Sequence, residues 1–276
     1  MFSLISINNF LSYKKYQFLN NKKYFVKFPK NKLDITIKEK LLVEQIKKYG
    51  YVIIPNFYNR DMCNKFIDQI NKFMSNHPTL IKRDKLNSDN RIFGAEYISP
   101  LFKKSLKKMI SFTKKIGRVY LRQDISLFMM MANRVIHKKN NIGSGGGWHK
   151  DSFSKQFKSI LYLNDVNKTN GAFQIIKNSN NDLFMLKLIN KLGKKFPVTR
   201  FSNNEVNKFV KNKNEQVVNL IGKAGTLILV DTSIIHRGSP LLNGKRFAIT
   251  NYFYPKNKLK DYKGHFNPKL SKFINN

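Results

Sequence analysis

The 276-residue chain has one cysteine, Cys63, one tryptophan, Trp148, and only 16 acidic residues against 52 lysines and arginines. A single cysteine excludes an internal disulfide framework and a cysteine-built metal site, and it fits a reducing, cytoplasmic setting. No run approaches the roughly 18 uninterrupted apolar residues that span a bilayer. The opening stretch MFSLISINNFLSYKKYQFLNNKKYFVKF lacks the charged start and long apolar core of a signal peptide. It reads as an edge strand or mobile arm, with contact to a membrane surface through its aromatics and lysines as the alternative. No internal repeat or low-complexity linker divides the chain. The expected organisation is a basic aromatic arm over residues 1–37, a single domain over 38–255 and a basic tail over 256–276.

Scarce acidic residues leave a formal net charge of +36. Such a charge suggests nucleic acid, because phosphate contacts dominate that kind of binding. Yet only nine of the 52 cations are arginine, the side chain that forks onto phosphate and guanine. The lysines are also spread along the whole chain. This pattern favours a solvated surface over a nucleic-acid footprint, one that still attracts anionic substrates or anionic membranes. With 41% hydrophobic and 13% aromatic residues, the chain is no disordered polyelectrolyte.

What is present falls into two textures. IKEKLLVEQIKKYG reads as a helix closed by Gly50, and YVIIPNF as the strand after it. NRDMCNKFIDQINKFM places Met62, Phe66, Ile70 and Phe73 on one helical face, with Asn59 or Asp61 as its cap. A third amphipathic helix is expected over 102–116, stopped by Gly117. From Ile125 onward come ISLFMMMANRVIH, KSILYLNDV, AFQIIK, QVVNLI, GTLILVD and RFAITNYFY, short β-rich runs separated by turn formers. One helical insert is expected over 182–192, and Asn243-Gly244 marks a hairpin. Helices first and strands later predict a mainly β protein, a sandwich or barrel, with flanking helices.

The stretch GSGGGWHKDSF carries the chemistry. On an extended segment the period of two sends His149 and Asp151 to one face. His236 lies where GTLILVDTSI gives way to a loop and offers a second imidazole. Two neutral nitrogens and one carboxylate form the donor set of non-haem iron oxygenases, with three coordination positions left open. The His-x-Asp pair alone is weak, since five histidines among 16 acidic residues produce one by chance about 30% of the time. A turn histidine at His149 and a satisfied strand-end histidine at His236 are the competing readings. Arg246, ten residues beyond His236 across the Asn243-Gly244 turn, is expected to come back beside it. A guanidinium there can fork onto a carboxylate, which lysine does less well. A plain surface arginine is the alternative. Thr250 and Tyr252 share its strand face. The glycines let a loop pass close to the site mouth, and with no following Gly-Lys-Ser/Thr they are no phosphate loop.

GGGWHKDSF, FKSILYLNDV, NGAFQIIKNS, GTLILVDTSIIHRGSP and RFAITNYFYP together resemble the phytanoyl-CoA dioxygenase family of Fe(II)/2-oxoglutarate oxygenases. The resemblance covers roughly 38–255. It implies a double-stranded β-helix core of the jelly-roll, cupin-like kind. It implies that His149, Asp151 and His236 bind iron, that Arg246 holds 2-oxoglutarate with Thr250 or Tyr252 adding a hydroxyl, and that O2 hydroxylates a small or carrier-linked metabolite with release of succinate and CO2. The family's Pro-Gly-Ser-His turn is replaced here by Lys177-Asn178-Ser179-Asn180. Trp148 is expected as a pocket wall or, alternatively, a core residue. Lys158 and Tyr162, on one face of FKSILYL, are expected to face the pocket. RDKLNSDNRIFGAEYISP, with Arg91, reads as a gating segment or as a loop docked through Ile92, Phe93 and Tyr97. Two other classes compete: a basic nucleic-acid-binding protein, and a non-oxygenase cupin-like binding or isomerase module.

Overall fold

The computed structural model describes residues 4–24, 35–210 and 216–256. In chain order these form α1 (Leu4–Tyr24), α2 (Ile37–Tyr49), β1 (Tyr51–Ile54), α3 (Arg60–Asn76), β2 (Lys82–Arg83), β3 (Asp89–Phe93), α4 (Pro100–Leu121) and β4 (Ile125–Ile136). Then follow β5 (Trp148–His149), β6 (Phe157–Tyr162), β7 (Phe173–Ile176), α5 (Asp182–Lys191), β8 (Arg200–Phe201) and α6 (Asn203–Phe209). The last elements are β9 (Val217–Leu220), β10 (Leu227–Asp231), β11 (His236–Gly238) and β12 (Lys245–Pro255).

Local signals set the helix ends. Thr36 and Glu39 form a capping box at α2, and Gly50 closes it in the left-handed region at φ 83°. Asn59, rather than Asp61, caps α3 by accepting from the Met62 N–H at 2.9 Å. The expected stop at Gly117 is not used. The chain continues as helix to Leu121 and ends on Arg122. Gly117 serves packing instead, since a Cβ there would lie 2.4 Å from Phe157 Cδ1.

The strands make two facing antiparallel sheets, seven strands in the order β1-β10-β6-β12-β4-β3-β2 and five in the order β8-β5-β11-β7-β9. Three cores follow from strand alternation. Leu227 and Leu229 of β10, Leu161 of β6 and Ile249 of β12 pack outward against α2, α3 and α4 through Ile46, Phe66, Phe102 and Leu106. Ile228, Val230, Ile160 and Ala248, one residue out of phase, meet Phe173 and Ile175 between the sheets. Trp148, Ile176 and Ile235 pack outward from the smaller sheet against α5 and α6. A strand covered on both faces reads as an unbroken apolar run, which is why LILVD shows no alternation.

Two further expectations change. Residues 4–24 are neither strand nor loose arm but helix α1, docked near α5. There Asn9 donates to Asn190 Oδ1 and the Lys194 carbonyl and accepts from the Phe196 N–H. Residues 25–34 of the arm and 257–276 of the expected tail lie outside the described residues. The 83–100 segment is not a free loop, because β3 pairs with β4 along five residues. No described helix is long and apolar enough to cross a membrane.

Candidate active site

β5 and β11 are neighbours in the smaller sheet, and His149 pairs directly with His236. Their ring centroids lie 4.3 Å apart. Asp151 reaches both, Oδ1 3.7 Å from His149 Nε2 and Oδ2 3.6 Å from His236 Nε2. These gaps exceed hydrogen-bond length and suit donors that each stand about 2 Å from a shared ion. One donor atom from each of the three lies within 4.8 Å of the others.

The backbone fixes the tautomers. His149 Nδ1 donates to the Gly147 carbonyl at 2.8 Å and His236 Nδ1 to the Ile234 carbonyl at 2.9 Å. A carbonyl only accepts, so each Nδ1 carries the proton and each Nε2 presents its lone pair to the site. Burial lowers the pKa of both rings, that of His236 to about 3, so both are neutral donors at ordinary pH. Enclosure alone would raise Asp151. The Lys158 ammonium, hydrogen-bonded to it, outweighs this and holds the carboxyl ionised, well below the usual carboxylate range. The glycine approach is tight as well: Gly145, at φ 92°, would place a Cβ 2.6 Å from His149 Cε1.

The larger sheet supplies the opposite wall. Arg246, Thr250 and Tyr252 of β12, Lys158 of β6 and Arg91 of β3 line one cavity of about 230 Å³ with the three ligand candidates. The shared face expected for Arg246, Thr250 and Tyr252 is what the strand delivers. Their route there differs from the expected hairpin, because β11 and β12 lie in opposite sheets and face each other across the site. Lys158 Nζ contacts Asp151 Oδ2 at 2.6 Å and stands 4.1 Å over the Tyr252 ring.

Arg246 is buried, donates through Nη1 to the Gly171 carbonyl, and leaves its Nε without a partner. Burial lowers its pKa, with Tyr162 and Asp89 partly offsetting that. Among the described residues it makes no ion pair. A buried guanidinium without a carboxylate is costly until an anion reaches it. Its Nη1 would lie 3.1 Å from a Cβ built at Gly238, two residues past His236. That is roughly 7 Å along the strand from the metal ligand, the reach of a short diacid.

Two expected pocket residues lie elsewhere. Trp148 cannot share a face with its neighbour His149, so it points outward, where Arg237 stacks 4.2 Å over its ring. Tyr162 is a core residue whose hydroxyl donates to the Leu220 carbonyl and accepts from the Phe173 N–H. Residues 177–180 do not line the cavity. Ser179 instead clamps the strand before His236, accepting from the Ile235 N–H at 2.7 Å. Asn133, Ser144 and Arg200 line the cavity without having been expected there. Asn133 carried a signal, a polar residue inside the apolar run MMMANRV. Arg200 carried none.

The architecture is the double-stranded β-helix seen in several solved structures. HygX from Streptomyces hygroscopicus, with nickel and 2-oxoglutarate bound, has a TM-score of 0.59 at 13% identity over 80% of this chain and 88% of that one. The epimerase SnoN from nogalamycin biosynthesis, with Fe3+, alpha ketoglutarate and nogalamycin RO, has 0.58 at 12% over 79% and 84%. EctD from S. alaskensis with bound Fe has 0.58 at 13% over 84% and 81%. No curated protein sequence matches the chain. Residues 46–248 match the phytanoyl-CoA dioxygenase family model, and the chain belongs to that family. It is a non-haem iron, 2-oxoglutarate-dependent oxygenase.

Proposed function

We propose that His149, Asp151 and His236 hold the iron, that Arg246 with Thr250 holds the far carboxylate of 2-oxoglutarate, and that the enzyme hydroxylates a small molecule with release of succinate and CO2. The observation that carries this reading is the pairing of two neutral imidazoles and one carboxylate with a buried, unpaired guanidinium on the facing sheet. The iron, when bound with 2-oxoglutarate, supplies the O2 activation and C–H oxidation that no side chain performs. The chain's own residues bind and orient. The Gly147 and Ile234 carbonyls keep both imidazoles in the ligating tautomer. Lys158 holds Asp151 ionised, and Arg246 fixes the direction in which the diacid enters. The two packed sheets keep bulk water from the reacting centre. The single buried thiol, Cys63, supports a cytoplasmic setting.

The test is anaerobic addition of Fe(II) and 2-oxoglutarate, read by the weak visible charge-transfer band of the complex. The band is expected in the parent, absent in His149→Ala, and in Arg246→Ala to need far more 2-oxoglutarate. A folded, metal-replete parent without the band would overturn the assignment.

A further inference from the structure

The iron-site cavity adjoins a second one of about 240 Å³, and Arg91, Gly145 and Arg200 line both. Lys82 and Arg83 extend the second cavity outward. Six cations line the two adjoining cavities, Lys82, Arg83, Arg91, Lys158, Arg200 and Arg246, against three carboxylates. The carboxylates are already engaged within the protein. Asp151 is held by Lys158, Asp89 by Arg91 and Asn133, and Asp84 by the Ser88 hydroxyl and the Ser88 and Asp89 N–H groups. Fe(II) and 2-oxoglutarate carry equal and opposite charge, so filling the site with them leaves the cationic excess in place.

Arg200 stands at the seam. It is the cross-strand partner of His149, so the two side chains leave the same face of the sheet. Among the described residues its guanidinium donates only to the Gly145 and Gly146 carbonyls and makes no ion pair. The outer cavity has little to offer an apolar chain, with Ile142 its one large apolar residue beside the glycines.

Resting on the oxygenase reading above, we propose that the substrate is a small molecule bearing a carboxylate or phosphate group. That anion is held by Arg200 at the seam, with Lys82 and Arg83 behind it, and its reacting carbon lies over the iron ligands. A long neutral acyl chain does not match this lining. Arg200 is thereby a specificity-determining residue, distinct in role from Arg246.

Calorimetric titration of the full-length protein with inorganic phosphate, and separately with acetate, tests this. The protein is loaded with Ni(II) and 2-oxoglutarate, and Arg200→Gln is compared with the remote surface variant Lys107→Gln. At least one anion is expected to bind the parent, to bind Arg200→Gln about tenfold more weakly, and to bind Lys107→Gln as the parent does. Preference for phosphate assigns a phosphorylated substrate, and preference for acetate a carboxylate. Binding of neither anion, or equal binding to parent and Arg200→Gln, overturns the proposal. The same titration on metal-free protein decides the matter even where the visible band is missing, which separates failure of the anion site from failure of the iron assignment.

Discussion

Lys158 donates to Asp151 Oδ2 at 2.6 Å from the facing sheet, so a buried cation stands directly against the carboxylate that completes the donor set. In the metal-free protein this ammonium is the main countercharge to Asp151. Lys158→Met leaves a partly exposed carboxylate without its cation, a loss of about 1–3 kcal/mol. A divalent ion restores a countercharge, so Ni(II) is expected to raise the melting temperature of Lys158→Met more than that of the parent. Equal metal-induced shifts in thermal melts of the two proteins would contradict this.

Arg246→Lys keeps the charge and discards the fork. Because the site calls for a planar donor against a carboxylate, lysine is expected to restore little of the lost affinity. Losing one partner of a buried charge pair costs about 2–5 kcal/mol, or roughly 30- to 5,000-fold in 2-oxoglutarate affinity. Ni(II) affinity without 2-oxoglutarate should stay close to the parent value, since the three ligand candidates sit on the other sheet. Calorimetry of both ligands checks the pair, and a matching fall in metal affinity would argue against the division of roles.

Burial lifts the Glu96 carboxyl to about 7, and the Met130 N–H that it accepts offsets this only in part. The folded protein therefore holds a proton that the unfolded chain releases near its ordinary value of 4.5. Stability from this group is fully present below that value and is lost as pH rises through about 7. The full loss is roughly 3 kcal/mol. Glu96→Gln should remove this pH dependence, so that its stability relative to the parent increases between pH 5 and 8, as urea titrations at a series of pH values would show. Parallel pH profiles would rule the argument out.

Gly117 sets two effects against each other. Alanine in a helix interior gains about 1 kcal/mol over glycine. The added Cβ, however, would stand 2.4 Å from Phe157 Cδ1 and 2.6 Å from Ile125 Cδ1, and overpacking costs about 1–3 kcal/mol. Gly117→Ala is expected to be net destabilising in chemical denaturation. A gain in stability would mean that Phe157 moves aside freely.

The legible parts of the sequence were those governed by local rules. Strand alternation put Arg246, Thr250 and Tyr252 on one wall, while Asp151 joins His149 on the other from a bend just past the end of β5. Caps at Asn59 and Gly50 could be read from residue type. The same alternation, applied to the adjacent pair Trp148 and His149, already sends the indole away from the site. What local rules do not carry is the assignment of strands to sheets. β11 and β12 are separated by six residues yet belong to opposite sheets, so proximity in sequence suggested a hairpin where the fold makes a facing pair. Arg200 reaches the site only through the β5–β8 pairing across some fifty residues of chain, which nothing near it announces.

The donor set belongs to one sheet and the anion-holding guanidinium to the other, with Ile160, Phe173 and Ile228 packed between them. The active site is therefore a joint, complete only while the sandwich is shut. A molecule whose sheets have loosened keeps His149 paired with His236 and still captures metal. It loses the distance across which a diacid is stretched, and with it the coupling of metal to co-substrate. Competence for oxidation thus reports on the closure of the whole β-sandwich, whereas metal content reports on five strands of it.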